Sequence, residues 1–451
     1  MTSLDRRQLL LSTSAGALAA AIPLPGAATR SVVPILNRRN AYAQTNLAAS
    51  KGSYGAKFTF EGLVNAWGIA IRPAGAGGHF WVTAGATSYQ FVGDVSASPN
   101  PALRSLFQDD LGEVYIPGAD SFTTNDSIGK VTGTTYIGLP INSSAFRANQ
   151  QAAMVNGQNV LFDGSARFVF VTDSGTISAW TDRGANGSTV RVNGAAQLMF
   201  DGSSLGMAFF GVAAKTDTWD RIWVADFGAD PQIRQFNAHW ELVPTIGFTS
   251  PFATGALRDE FQPERGNKAR PGDPVPFNIH VLNRRAFVMY CISQIMRNEA
   301  GFITHAGQFF SAEEDSLDRD AEAKASGFPN RGKLVEYNLD GEIVKIYEDL
   351  GRLNAPWGVA SAPANFGLLS NMLLVGNFGG AGKIAAFNQI TGRFVDFMRD
   401  PNGSVIGLDG TWALVFGNGA SLGDTNALYF ASGTEGETAG LFGSFRYIGD
   451  R

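Results

Sequence analysis

Asn354-Ala-Pro-Trp-Gly-Val-Ala360 decides the fold, together with three segments after it: Met372-Leu-Leu-Val375, Lys383-Ile-Ala-Ala-Phe387 and the turn Gln389-Ile-Thr-Gly392. An aromatic–small–aliphatic strand comes first, then a second strand, a short turn and a third strand. Period-2 alternation bounded by Gly, Asn and Asp is the signature of antiparallel hairpins. Five other stretches open on the same plan: Asn65-Ala-Trp-Gly-Ile-Ala70, Ala152-Ala-Met-Val155, Leu205-Gly-Met-Ala-Phe209, Pro276-Phe-Asn-Ile-His-Val281 and Asp409-Gly-Thr-Trp-Ala-Leu-Val415. Self-similarity on this scale marks a radial array of small sheets. The expectation is an all-β, six-bladed β-propeller. Its sixth blade shows only three strands before Arg451, so a strand from within 44–62 is expected to complete it and close the ring.

Two stretches, near 95–149 and 292–331, are too long for simple hairpins and are expected to be surface insertions. Of 451 residues, 54 are Gly and 17% are charged, which suits Gly-turned strands around a large core. The N-terminus differs from the rest. Arg6-Arg7 precedes an apolar stretch to Ala28, and Ala41-Tyr-Ala43 offers a small-x-small cleavage site. This pattern is expected to be a Tat-type export leader over 1–43, placing the mature protein in the periplasm or outside the cell. Loss of five Arg and one Asp would move the formal charge from −5 to −9. Such an acidic chain is a poor partner for nucleic acid. No apolar run beyond the leader is long enough to span a bilayer, and a monomer is expected. Cys291, the single cysteine, sits in a strand pattern and reads as a small buried residue.

Leu353-Asn-Ala-Pro-Trp-Gly-Val-Ala360 with Leu373-Leu-Val-Gly-Asn-Phe-Gly379 resembles a group of exported NHL-type propeller proteins, often found among PEP-CTERM-bearing bacteria. Thr172-Asp-Ser-Gly-Thr-Ile-Ser-Ala-Trp180, Pro276-Phe-Asn-Ile279 and Asp409-Gly-Thr-Trp412 resemble its other blocks, over roughly 55–447. The second blade departs from the pattern at Gln150-Gln-Ala-Ala153. The resemblance implies architecture and export and carries no reaction.

In an antiparallel meander, the start of the first strand and the end of the second lie at one end of the sheet. That gathers Asn65, Asn278, Asn354 and Asp409 with Asp173, Asp226 and Asn377 on one face. Asn and Asp oxygens converging at a channel mouth suit Ca²⁺, with Asn65, Asn278, Asn354 and Asp409 as candidate ligands. The same residue types also cap tight turns by accepting backbone hydrogen bonds, and both readings stay open. Trp67, Phe277, Trp357 and Trp412 share the aromatic position and either wall a pocket or pack blade on blade. Asp409 and His280 are the candidate catalytic groups, and Glu435 and Glu437 lie on the same face. Gly202-Ser-Ser-Leu-Gly206 lacks the helix a nucleophile elbow needs, and the chain has no His or Cys spacing for zinc. Three functions are open to such a chain. The first is a propeller binding a small molecule, metal or partner at the channel mouth; the others are a Ca²⁺-dependent lactonase-like hydrolase and a protein-interaction scaffold.

Overall fold

Five of the six inner strands carry a Gly or Ala that lets the neighbouring blade come close at the axis, and the fourth carries Asn278 there. The computed structural model describes residues 39–119, 129–155, 158–184, 187, 189, 194–270, 272–292 and 331–449. The inner strands, in blade order, are Ala66–Ala70, Val131–Tyr136, Phe209–Ala214, Pro274–Leu282, Pro356–Ser361 and Thr411–Phe416. Each packs on the next, and the sixth packs on the first. Every inner strand leads an antiparallel blade of four strands or more, with order equal to chain order in blades three, four and five.

The aromatic–small–aliphatic motif has a steric cause. A Cβ on Gly211 would lie 1.8 Å from Asn278 Oδ1, and one on Gly358 would lie 2.2 Å from the Trp412 carbonyl. Both glycines are therefore fixed by close approach of the next blade. The flanking residues, Trp357 and Val359, are buried on the axis side and in the inter-blade core.

The expected closure is present. Tyr42–Ala49 pairs antiparallel with Leu441–Tyr447 and completes the sixth blade, and Phe58–Thr59 adds a parallel pair outside it. Tyr42 is buried, donates to the Phe366 carbonyl at 2.8 Å and packs on the Phe366 ring. The closing strand thus starts before Ala43, inside the stretch expected as leader. Residues 1–38 of that leader, with its twin arginine, lie outside the described residues.

Two strand assignments are corrected. The second blade opens on Val131–Tyr136, not on Ala152-Ala-Met-Val155. The latter belongs to a two-stranded hairpin, Arg147–Val155 with Gln158–Ser165, outside the blade. Val131-Thr-Gly-Thr-Thr-Tyr136 hid because it lacks an aromatic before its glycine, although Gly133 meets Gly211 much as the other motifs meet their neighbours. In the third blade, Leu205 ends a short 3₁₀ turn and the inner strand begins at Phe209. The aromatic–Gly–aliphatic unit there is Phe210-Gly211-Val212. Part of the expected 95–149 insertion is ordinary blade, since Glu113–Tyr115 is the fourth strand of blade one. The 292–331 insertion lies outside the described residues except for its two ends. Cys291 is fully buried, as expected.

Candidate functional site

The inner strands all begin on one face, the mouth, and aromatic side chains close the axis just beneath it. Trp412 is sandwiched between Trp67 and Phe378, with ring centroids 3.8 Å away on both sides. Phe277 tilts against Trp412 and Phe378, Trp357 meets Trp412 edge-on, and Phe210 bridges Trp67 to Phe277. The four aromatics expected to share one position do come together, as a packed plug rather than as the walls of an open pocket. Phe210, Phe227 and Phe378 were missed; the signal for the last two is that each directly follows the Asp or Asn that ends a second strand.

Asp173, Asp226 and Asn377 act as turn staples. Asp173 Oδ1 accepts from the N–H groups of Gly129 and Lys130, and its other oxygen faces Lys130 Nζ at 3.3 Å. Asp226 Oδ1 accepts from Ala208 and Gly228, and Oδ2 from Arg234 Nε at 2.8 Å. Asn377 Oδ1 accepts from Asn354 N–H, and Nδ2 donates to the Arg352 carbonyl. In each case the end of the second strand ties down the backbone that enters the inner strand, which satisfies donors that would otherwise be orphaned. Burial pushes the carboxyls of Asp173 and Asp226 above the ordinary range, against the pull of Lys130 and Arg234.

The four residues expected to hold Ca²⁺ have different surroundings. Asn278 occupies the position that is glycine in blades one, two, three and five; its Nδ2 donates to the Trp357 carbonyl and its Oδ1 accepts from Ile279 N–H. Asn65 Oδ1 accepts from Trp412 Nε1 at 2.7 Å and its Nδ2 donates to Glu437 at 2.6 Å. The Asn354 amide is buried, with neither atom hydrogen-bonded among the described residues. Asp409 is exposed at the rim, where Oδ2 accepts from Glu435 N–H. Among the described residues, no three His, Cys, Asp or Glu side chains gather in a metal-holding group.

Asp409 and His280 stand apart. His280 lies further along its strand, past the plug, in an axial cavity of about 10 Å³ that it shares with Thr134, Asn278 and Leu414. That is room for about one water. Burial lowers the imidazole pKa to about 4, so it is neutral at physiological pH. The Thr134 hydroxyl beside it has no hydrogen-bond partner among the described residues.

Glu437 also lies at the mouth. It is half-buried above the plug, joined to Trp412 through Asn65. Burial raises its carboxyl above the ordinary range; Lys130 and the Asn65 amide oppose this, and the charges of Asp173 and Asp409 add to it. Neighbouring Glu435 is instead held below the ordinary range by Lys51, with Tyr54 also donating to it.

No protein-family model matches the chain. Two relatives from Acanthamoeba polyphaga mimivirus are each 34% identical: uncharacterized protein L690 over 116 residues, 26% of this chain and 29% of the relative, and uncharacterized protein R648 over 113 residues, 25% and 27%. The chain spans less than a third of the length of these relatives. A solved structure, the WD40 β-propeller domain of Doa1, is similar at a TM-score of 0.38 and 7% identity, covering 89% of this chain and 96% of that one.

Proposed function

We infer that the chain is a binding propeller whose mouth receives a ligand or partner segment carrying an organic cation. The supporting observation is Glu437, a carboxyl kept partly desolvated over an aromatic plug. Burial and two like charges work against that placement, and Lys130 with the Asn65 amide offsets only part of the penalty. A cation arriving at Glu437 would relieve both penalties, and Asp409 on the exposed rim would add attraction. The apolar floor favours an alkylammonium over a strongly hydrated metal ion, since its carbon chain can rest where an ion would keep its water shell. The plug is packed ring on ring, so recognition is of a head group resting above it. A hydrolase is the weaker reading, because His280 and Asp409 lie on different sides of the plug.

Thermal denaturation of the full chain with butylammonium, calcium or sodium chloride at matched ionic strength tests this. The expected result is stabilisation by butylammonium that Glu437→Gln removes. Stabilisation by calcium alone would return the site to a hard cation at Asp409. No response to either would overturn binding of a cation at the mouth.

A further inference from the structure

The connection between blades three and four, described over 244–270 and 272–273, folds against blade three away from the mouth. Its middle folds back as a hairpin: Leu257 bridges Asn267, Gly255 N–H donates to Lys268, and Arg258 N–H donates to Gly266. A turn of 3₁₀ helix, Pro263–Arg265, ends on Gly266 at φ +72°, a conformation that suits glycine. Arg258 pins this hairpin to blade three. One guanidinium nitrogen contacts both Asp230 oxygens at 2.6 Å, and another donates to the Pro231 carbonyl at 2.8 Å. Thr249 adds a bond to the Glu264 carbonyl.

Between the pinned hairpin and the blades lies a cavity of about 30 Å³. Its floor includes Ile233, Phe248 and Pro276, and its polar lining includes Arg258, Arg265 and Asn267, with no acidic residue among the described residues that line it. The two arginines differ. Arg258 is consumed by the hairpin's attachment. Arg265 makes no side-chain hydrogen bond with a described residue, and its ion pair with Asp259 is long, at 3.7 Å. A guanidinium whose one ion pair is long, beside an apolar floor, has the chemistry to receive a carboxylate.

We propose that this cavity binds a carboxylate head group through Arg265, with a short apolar tail against Phe248 and Pro276. The free space fits such a head group, being roughly that of two waters.

Titration calorimetry on the full chain with butyrate, N-acetylalanine, N-acetylalanine amide and phosphate tests the assignment. Butyrate, N-acetylalanine or both are expected to bind, and the amide not to bind. Tighter N-acetylalanine would mark a peptide C-terminus, and tighter butyrate a free acid. Arg265→Gln is expected to weaken binding about ten-fold, as loss of a charge-assisted hydrogen bond does. Asp259→Asn frees Arg265 from its competitor and is expected to strengthen binding, a gain that a purely structural role would not give. Equal affinity in wild type and Asp259→Asn, or phosphate binding tighter than either carboxylate, would overturn the proposal even if Arg265→Gln fails to fold.

Discussion

Trp412 Nε1 donates to Asn65 Oδ1 across 2.7 Å, so the indole that centres the aromatic plug also fixes the amide that holds Glu437. This bond joins the last blade to the first and sets Asn65, which lies at φ +49°, against the rim. Trp412→Phe keeps most of the ring stacking and strands a buried carbonyl oxygen. The expected cost is about 1–3 kcal/mol in denaturant unfolding, the usual penalty for one unsatisfied buried acceptor. A value near zero would show that the bond is not made.

Asp226 is fully buried and holds two backbone N–H groups and Arg234. Its role as a staple predicts that Asp226→Ala loses about 3 kcal/mol or more, since the variant leaves an arginine and two donors uncompensated. Added calcium would not restore the loss. Rescue by calcium would make Asp226 a metal ligand instead.

His280 predicts an acid limb in the stability profile. Its folded pKa, about 4, lies below the ordinary histidine value. The unfolded chain therefore binds more protons between these values, and stability falls as pH drops from roughly 6.5 towards the folded value. His280→Asn is expected to flatten this limb by about one proton in the slope of unfolding free energy against pH. An unchanged slope would place the acid sensitivity elsewhere.

Much of the ring was legible in the sequence because its sterics repeat. Trp67-Gly68, Trp357-Gly358 and Trp412-Ala413 expose the need for a slim residue beside an aromatic. The second blade was hidden because Thr132-Gly133 meets the same steric demand without the aromatic, while Ala152–Val155 imitates the pattern in a stray hairpin. The mouth was legible as a gathering of Asn and Asp but not as a division of labour. Whether an aspartate accepts backbone N–H groups, as Asp226 does, or faces solvent, as Asp409 does, depends on turn geometry that spacing does not encode.

The closing strand bears on where an N-terminal leader could end. Tyr42 buries its ring against Phe366 and pairs with Tyr447. A chain beginning at Gln44 is expected to lose about 3–5 kcal/mol relative to one retaining residues 39–43, the cost of deleting a buried aromatic. If an N-terminal leader is removed in the cell, sequencing of the mature protein is expected to find Ala41 and Tyr42 still present.

Glu437→Gln carries the opposite sign to these losses. The folded chain holds the Glu437 proton more tightly than the unfolded chain does, so this residue's contribution to stability falls as pH rises from the ordinary carboxylate range through its raised value. Glutamine keeps an oxygen for the Asn65 amide and removes the charge. The variant is expected to melt higher than wild type at neutral pH, with the gap closing below about pH 4. A lower melting temperature at neutral pH would mean that the charge stabilises the free protein.

The most direct measurement is the NMR titration of the Glu437 side-chain carboxyl, without and then with saturating butylammonium. A cation bound at the mouth must favour the ionised form, so the raised pKa is predicted to fall when the ligand is present. A pKa that stays the same under both conditions would contradict cation recognition at Glu437.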